Sequence, residues 1–440
     1  MTAGGNTKGQ QEALRLVRSG RNVFITGAGG VGKSYLIDQI RCIFPDAAIT
    51  STTAISAGNI GGVTLNSWAG LGLGLESPAK MYSKMAERKR GIIRYAQVLL
   101  IDEVSMLHPD TMDKCDELMQ KVRGNGKPFG GLQVIAVGDF FQLPPVETRR
   151  GVATKYAFDC AAWRALDFVS AQLTEIIRQK DKQFQDILNA IRVGDVGDVD
   201  LSPLFDRGIR EPAAREGDFT ALSATNKEVD AYNRRKLSKL PGSTYTYRSV
   251  DTGAEFSVKN SRLEKTLELK PEALCLYLLN HDPLYNGSVV VVVECHEDMV
   301  VVECAETQDQ FEVRPHKQEV FQGREVLEVK DMGGYWETED GDKYMEDDVK
   351  DGKIFRPKVV ASRTALPLKL GWWITVHKSQ GMGLNQVHAN LARTFAPGQI
   401  YTALSRAQSL QGLTIQGLTP SKLGPSSVSP EVIEFYSNLT

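Results

Sequence analysis

The sequence predicts an α/β protein of two parallel-sheet lobes with a small β-barrel inserted in the second, and three observations carry that reading. Early in the chain the runs "VFIT", "VLLI" and "VIAV" are apolar at every position, end in polar turns and have helical stretches between them. Such runs suit strands covered on both faces, the usual condition of a parallel sheet. Later, "FTALSAT" and "WWITV" repeat the pattern, whereas residues 275–365 change to "SVVVVVECHEDMVVVEC" and further short β runs without helical periodicity. The expected domains are a first lobe over 1–170 with a small insertion near 66–97, a second lobe over 171–274 and 366–440, and the barrel over 275–365.

Each element has its own warrant. "VFIT" runs into the glycine-rich "GAGGVGKS" at 27–34, and a helix follows. After Pro109, which suits a first helical position, Met112, Cys115, Leu118, Met119 and Val122 recur three to four residues apart with charges between them. The second lobe opens near 171, and Phe184, Ile187, Leu188 and Ile191 mark one face of a helix over 183–193. "GQIYTALSRAQ" reads as a helix that follows the late strand "WWITV" and a loop. Residues 331–351, with nine acidic and two basic side chains, read as an exposed loop. Residues 80–94 hold six bases and one acid, a charge that suits either a phosphate backbone or an ordinary solvated helix face.

With 440 residues, 42% hydrophobic and 24% charged, the chain has globular composition and room for more than one core. Its longest aliphatic stretch, "VVVVV" at 289–293, is far short of the roughly 20 residues that span a bilayer. The segment "MTAGGNTKGQ" has neither a signal core nor an Arg-rich leader. The expectation is a soluble intracellular protein with no membrane partner. Six cysteines without a C-x-x-C pair point to buried free thiols and away from a zinc ribbon or a disulfide framework. A net charge of −2 argues weakly against nucleic acid, but that average hides the segregation described above.

"GAGGVGKS" satisfies G-x-x-x-x-G-K-[ST] between a strand and a helix, the context that makes the pattern a phosphate loop. Backbone N–H groups of Ala28, Gly29, Gly30, Val31, Gly32 and Lys33 and the helix N-terminus are expected to cradle phosphates, with Gly27 opening the ATP-binding loop, the Lys33 amine on the β/γ oxygens and Ser34 on Mg²⁺. In "VLLIDEVSM", Asp102 at a strand end suits the Mg²⁺ shell, and Glu103 suits the base that activates water. Gln142 in "VGDFFQLPPV" is stiffened by two prolines and can both donate to a γ-phosphate and accept from the attacking water. Arg178 in "TEIIRQKD" and Arg406 in "YTALSRAQS" are candidates for the cation that neutralises the transferring phosphoryl.

These segments, with "IIRQKDKQFQDILNAIRVGD", "LGWWITVHKSQGMGL" and "GQIYTALSRAQSLQGL", occur in an order that resembles the petite-integration-frequency (PIF) family of superfamily-1 DNA helicases, from about residue 8 to 419. "DKCDELMQKVR" at 113–123 is similar to a signature particular to that family. The resemblance implies two RecA-like lobes, an SH3-like inserted barrel, and five-prime to three-prime movement on single strands. It implies that Gln10 contacts adenine and that Gly381 joins Lys33, Ser34, Asp102, Glu103, Gln142, Arg178 and Arg406 at the ATP site. For DNA it implies Thr52, Asn66, Ser67 and Trp68 on the first lobe, with Asn and Trp where the family usually has His and Phe. On the second lobe it implies His377 and Ser379, with Asn286 where the chain enters the barrel; Thr225 and Asn226 could add a further grip. Trp68 either stacks on a base or fills a core pocket. The acidic 331–351 stretch would repel DNA lying on its track, and accessory domains before Gln10 or after the last motif are expected to be absent.

The function implied is an ATP- and Mg²⁺-dependent DNA helicase of replication, repair or recombination, working as a monomer on single-stranded and tailed duplex DNA. A single-strand translocase or RecD-like subunit without strand separation is the alternative. A nucleic-acid clamp that does not cycle is disfavoured by Glu103 and the two arginines, and a small-molecule kinase by the lack of a lid or acceptor site.

Overall fold

The structure is a computed structural model that describes residues 6–53, 56–57, 60–72, 76–145, 155–177, 179, 181–205, 219–253, 263–279, 283–284, 288–305, 307–333, 336–339, 343–344, 353–380, 384 and 386–439. The chain forms two compact units, one of residues 1–239 with 371–440 and one of 240–370.

In the first unit, six strands, β1 (Val23–Gly27), β2 (Ala48–Ser51), β3 (Val63–Thr64), β4 (Val98–Asp102), β5 (Gln133–Gly138) and β6 (Val169–Leu173), form a parallel sheet in the order β3-β2-β4-β5-β1-β6. Strands β1 and β4 are buried at every position, as their apolar runs require. Alternate residues face opposite layers. Ile25, Leu100 and Ile135 pack with α1 (Lys8–Arg18) and α2 (Lys33–Ile43), while Phe24, Leu99 and Val134 pack with the helix Pro109–Arg123. That helix buries Met112, Cys115, Leu118, Met119 and Val122, the stripe legible in the sequence, and ends at Gly124 in the left-handed region. Strand β6 crosses the expected 170/171 boundary, because residues 169–173 pair with β1 and complete the first sheet.

A second parallel sheet follows in the same unit: Trp373–Thr375, β7 (Phe219–Ser223), Gln386–Asn390 and Leu413–Gln416, in that spatial order. The helix Lys182–Val193 buries Phe184, Ile187, Leu188 and Ile191 on the predicted face. The helix Pro430–Ser437 brings Phe435 onto Phe158 (ring centroids 4.2 Å apart) and Tyr436 onto Phe141 (4.6 Å), so it joins the first sheet's core.

The unit 240–370 is all β among the described residues. A five-stranded antiparallel sheet runs Gln310–Val313, Val300–Cys304, Val289–Cys295, Leu274–Tyr277, Leu368–Leu370. The long strands His316–Asp331 and Lys353–Ala365 pair over most of their length. This unit begins at Leu240, not at 275, because Tyr245–Arg248 pairs with Thr266–Leu269 and Val250–Gly253 with Ala361–Thr364. The acidic 331–351 stretch is not wholly loop: Trp336–Thr338 pairs with Val329–Asp331 and Lys343–Tyr344. Composition registers charge there but not ladder partners. All six cysteines are free, and Cys42 is exposed against the expectation of burial. Among the described residues no helix is long and apolar enough to cross a membrane.

Leu118→Ala should destabilise the first sheet's layer by about 2–5 kcal/mol through cavity formation, read as a shift in the urea unfolding midpoint.

Candidate functional site

Parallel strands present their carboxyl ends to one edge, and ligands of open α/β sheets bind there. Strand β1 delivers the glycine loop to that edge, β4 delivers Asp102 and Glu103, and β5 delivers Asp139 and the turn to Gln142. A cavity of about 220 Å³ opens among them, lined by Gly29, Lys33, Glu103, Gln142, Ile177 and Arg406, with Ser34 at its side.

The loop is shaped by its neighbours. Gly32 adopts φ 83° to start α2, and a Cβ there would lie 2.7 Å from the Gln10 amide nitrogen. The Lys33 amine donates to the Gly27 and Ala28 carbonyls at 2.8 and 2.9 Å. Burial pushes its pKa down, and Asp139 and Glu103 oppose that shift. Gln10 is committed to the loop: its amide oxygen accepts from Thr7 N–H in a capping box, and its nitrogen donates to the Val31 carbonyl at 3.3 Å. Ile177, half exposed and bonded through its N–H to the Gly30 carbonyl, supplies an apolar wall that the sequence reading did not single out.

Burial, and then the adjacent Glu103 carboxylate, push Asp102 up to about 8. Glu103 sits in the left-handed region at φ 52°, ψ 44°, a strain of about 1–2 kcal/mol for a residue with a Cβ. Its carboxylate accepts from the Gln380 amide at 2.8 Å, and the same amide lies 3.3 Å from Ser105 Oγ. Gln142 is buried, and its amide oxygen meets no hydrogen-bond donor among the described residues. A buried acceptor on a residue that lines a cavity suits a water or a phosphate-bound group.

Arg406, 2% exposed, reaches the cavity from the end of the helix Gln399–Leu404 and is anchored to Thr402 O at 2.9 Å and Ser405 Oγ at 3.0 Å. A Cβ on Gly29 would meet Ser405 at 3.3 Å and Arg406 Nη2 at 3.7 Å, so the loop and this helix approach closely and a side chain at residue 29 would press on Ser405. Tyr401 of the same helix accepts from Gly29 N–H at 2.8 Å. Its hydroxyl also lies 3.4 Å from Asp139, a fully buried carboxylate that takes two bonds from Arg192 at 2.9 and 3.0 Å. Burial alone would lower the Arg192 guanidinium, but Asp139 outweighs it and holds it above its ordinary value. Tyr436 donates to or accepts from Thr26 Oγ at 2.6 Å and accepts from Phe140 N–H at 3.2 Å.

The DNA candidates fare unevenly. Asn66 and Ser67 lie on the helix Leu65–Ala69, where Ser67 is exposed and Asn66 donates to Gly72 O at 3.3 Å. Trp68, on that helix's inner face with Leu65, is 6% exposed and packs in the core, so the stacking reading is corrected: the segment is helical and turns the ring inward. Thr52 spends its hydroxyl on Glu103 O at 3.0 Å. Thr225 and exposed Asn226 follow β7, and half-buried His377 follows Trp373–Thr375, two neighbouring parallel strands that pair Ser223 with Thr375. Burial lowers the His377 pKa. Ser379 is corrected as well, since it is fully buried and donates to Val376 O at 2.8 Å. Arg178, Gly381 and Asn286 lie outside the described residues.

A family profile described as PIF1-like helicase matches residues 7–201. The solved Pif1 helicase of Candida albicans is 32% identical and superposes with a TM-score of 0.81, covering 99% of this chain and 100% of that one. The chain belongs to the Pif1-like helicase family. The ATP-dependent DNA helicase PIF1 of Emericella nidulans is 33% identical over 98% of this chain and 62% of its own length, and that of Xenopus laevis 34% identical over 92% and 60%. The chain thus spans about three fifths of the curated relatives it matches. A Bacteroides Pif1 helicase solved with ADP-AlF3 and single-stranded DNA is 26% identical, with a TM-score of 0.79 over 98% of this chain and 96% of that one. These likenesses establish two RecA-like lobes as the family's fold, here the two parallel sheets.

Arg192→Met should destabilise the protein by about 3–5 kcal/mol by stranding a buried carboxylate. Asp139→Asn in the same chain should recover part of that loss, a non-additivity read from a urea double-mutant cycle.

Proposed function

We propose that this chain is an ATP-dependent DNA helicase that moves five-prime to three-prime on single-stranded DNA and opens duplex ahead of it. The observation that carries the reading is the single cavity in which the phosphate loop, Glu103 and Gln142 of one sheet meet Arg406 of the other. Its support is the family's curated naming as ATP-dependent DNA helicases and the Bacteroides relative's capture with a nucleotide analogue and single-stranded DNA.

ATP phosphates would take the loop N–H groups and the start of α2, with Lys33 turning from its own loop's carbonyls to the β/γ oxygens. Ser34 and Asp102 offer hard oxygens that fit Mg²⁺, which neutralises phosphate charge when bound. Among the described residues no group of three or more His, Cys, Asp or Glu side chains could hold a metal alone, so such an ion would draw most of its shell from phosphate and water. Glu103 takes a proton from the water that attacks the γ-phosphorus as the bond to ADP breaks, and the open Gln142 oxygen accepts the water's other hydrogen bond. Arg406, with Arg178 as second candidate, offsets the charge on the transferring group. Because that arginine and the loop belong to different sheets, hydrolysis depends on their spacing. Thr225, Asn226 and His377 at one sheet edge, with Asn66 and Ser67 near the other, would then approach and part along the strand once per turnover. One copy completes the ATP site, so one copy is the motor in this reading, although a relative was solved as two coordinating helicases at forked DNA.

Arg406→Ala should lower DNA-stimulated ATP hydrolysis by roughly 10³-fold while nucleotide still binds, checked by steady-state turnover beside a fluorescent-nucleotide titration. Duplexes carrying only a five-prime tail should open in ATP, less well as salt rises, and those with only a three-prime tail should not. Tracking along single strands with no product from either duplex would favour the translocase alternative.

A further inference from the structure

The turn that follows the strand Trp373–Thr375 reaches both halves of the hydrolytic machinery. Residues Val376–Ser379 form a single 3-10 turn, closed by the Ser379 hydroxyl on Val376 O. His377 stands in it at the sheet edge proposed to meet DNA. The next residue, Gln380, is 1% exposed and crosses to the first sheet, where its amide donates to the Glu103 carboxylate at 2.8 Å and lies 3.3 Å from Ser105 Oγ. From the same turn Ser379 O lies 3.5 Å from Arg406 Nη1. The Gln380 amide oxygen is buried and meets no donor among the described residues, while the nitrogen of the same amide holds Glu103.

We infer that Gln380 is the positioning residue that sets the Glu103 carboxylate for hydrolysis and carries the DNA state of the 376–379 turn to it. The inference rests on the reading of Glu103 as the base. A carboxylate on a strained left-handed residue has no helix or strand to fix its direction, and a donor on one oxygen fixes it while leaving the other to take the water's proton. That donor is one peptide from a turn whose place depends on what His377 touches. Strand binding therefore needs no long relay to reach the chemistry: it moves or steadies the residue next to the donor. Ser105 keeps the amide aimed when the turn shifts.

The test uses the full chain with a poly-dT oligonucleotide and three variants. Gln380→Met keeps the volume and removes the donor. It should lower kcat for DNA-stimulated hydrolysis by about 10–100-fold, the size typical of lost outer-shell support. KM for ATP, oligonucleotide affinity and melting temperature should stay close to wild type, and the ratio of DNA-stimulated to DNA-free rates should fall. Gln380→Glu sets two carboxylates against each other and should be slower still. Ser105→Ala should give a smaller loss of the same kind. A Gln380→Met protein with wild-type kcat and stimulation ratio overturns the inference. So does a loss that appears equally in KM, DNA affinity and melting, which marks a packing role. If Gln380→Met does not fold, an unchanged stimulation ratio in Ser105→Ala overturns it. Turnover retained by Glu103→Gln would instead remove the base assignment, an outcome that these variants keep separate.

Discussion

A carboxylate removed entirely from water, Asp139, is the charge around which the first unit is arranged. It lies one residue past β5 and is met by the Arg192 guanidinium, by the Tyr401 hydroxyl and, at 3.5 Å, by Tyr436. Those partners come from three helices far apart in sequence. Each also does something else: Tyr401 holds a phosphate-loop N–H, Tyr436 bonds Thr26 one residue before the loop, and Arg192 lies over the Phe141 ring at 4.5 Å. A buried ion pair adds little net stability over a well-packed apolar alternative, because desolvation offsets most of the attraction. What it does here is tie three helices to the end of β5, since Asp139 takes its partners from all three.

The site sits beside this hub and shows the opposite economy. Where Asp139 is partnered on all sides, the cavity wall carries the Gln142 oxygen, which meets no donor among the described residues, and the left-handed backbone of Glu103, with Asp102 just before it protonated more readily than a surface carboxyl. The Lys33 amine, bonded to its own loop's carbonyls, is held in place until a stronger acceptor arrives.

The residues proposed to hold nucleotide were legible because their chemistry is local. A glycine loop between an all-apolar strand and a helix, and an acidic pair at the end of a second such strand, need only a few neighbours to be read. Gln380 and Ile177 escaped notice although both lie within segments already singled out, since nothing in "TVHKSQG" or "TEIIRQKD" tells which side chain turns inward. Trp68 and Ser379 went the other way: a five-residue helix and a one-turn 3-10 helix rotated them into the interior, and motif spacing does not encode that rotation. Strand β6 and the pairing of Val250–Gly253 with Ala361–Thr364 depend on partners more than 100 residues away, beyond any window of periodicity.

The sequence by itself determined the α/β class, the helical stripes of Pro109–Arg123 and Lys182–Val193, and the identity of the loop, acid and arginine groups proposed to handle a nucleoside triphosphate. Those follow from backbone geometry and side-chain chemistry over a few residues. Only the tertiary structure decided which groups converge. Arg406 against Gly29, Gln380 on Glu103, and Arg192 with two tyrosines on Asp139 are contacts between segments 50 to 400 residues apart. Their existence depends on how the sheets stack and on the cost of leaving a buried charge unpaired, quantities summed over the whole packed interior and written in no single stretch of chain.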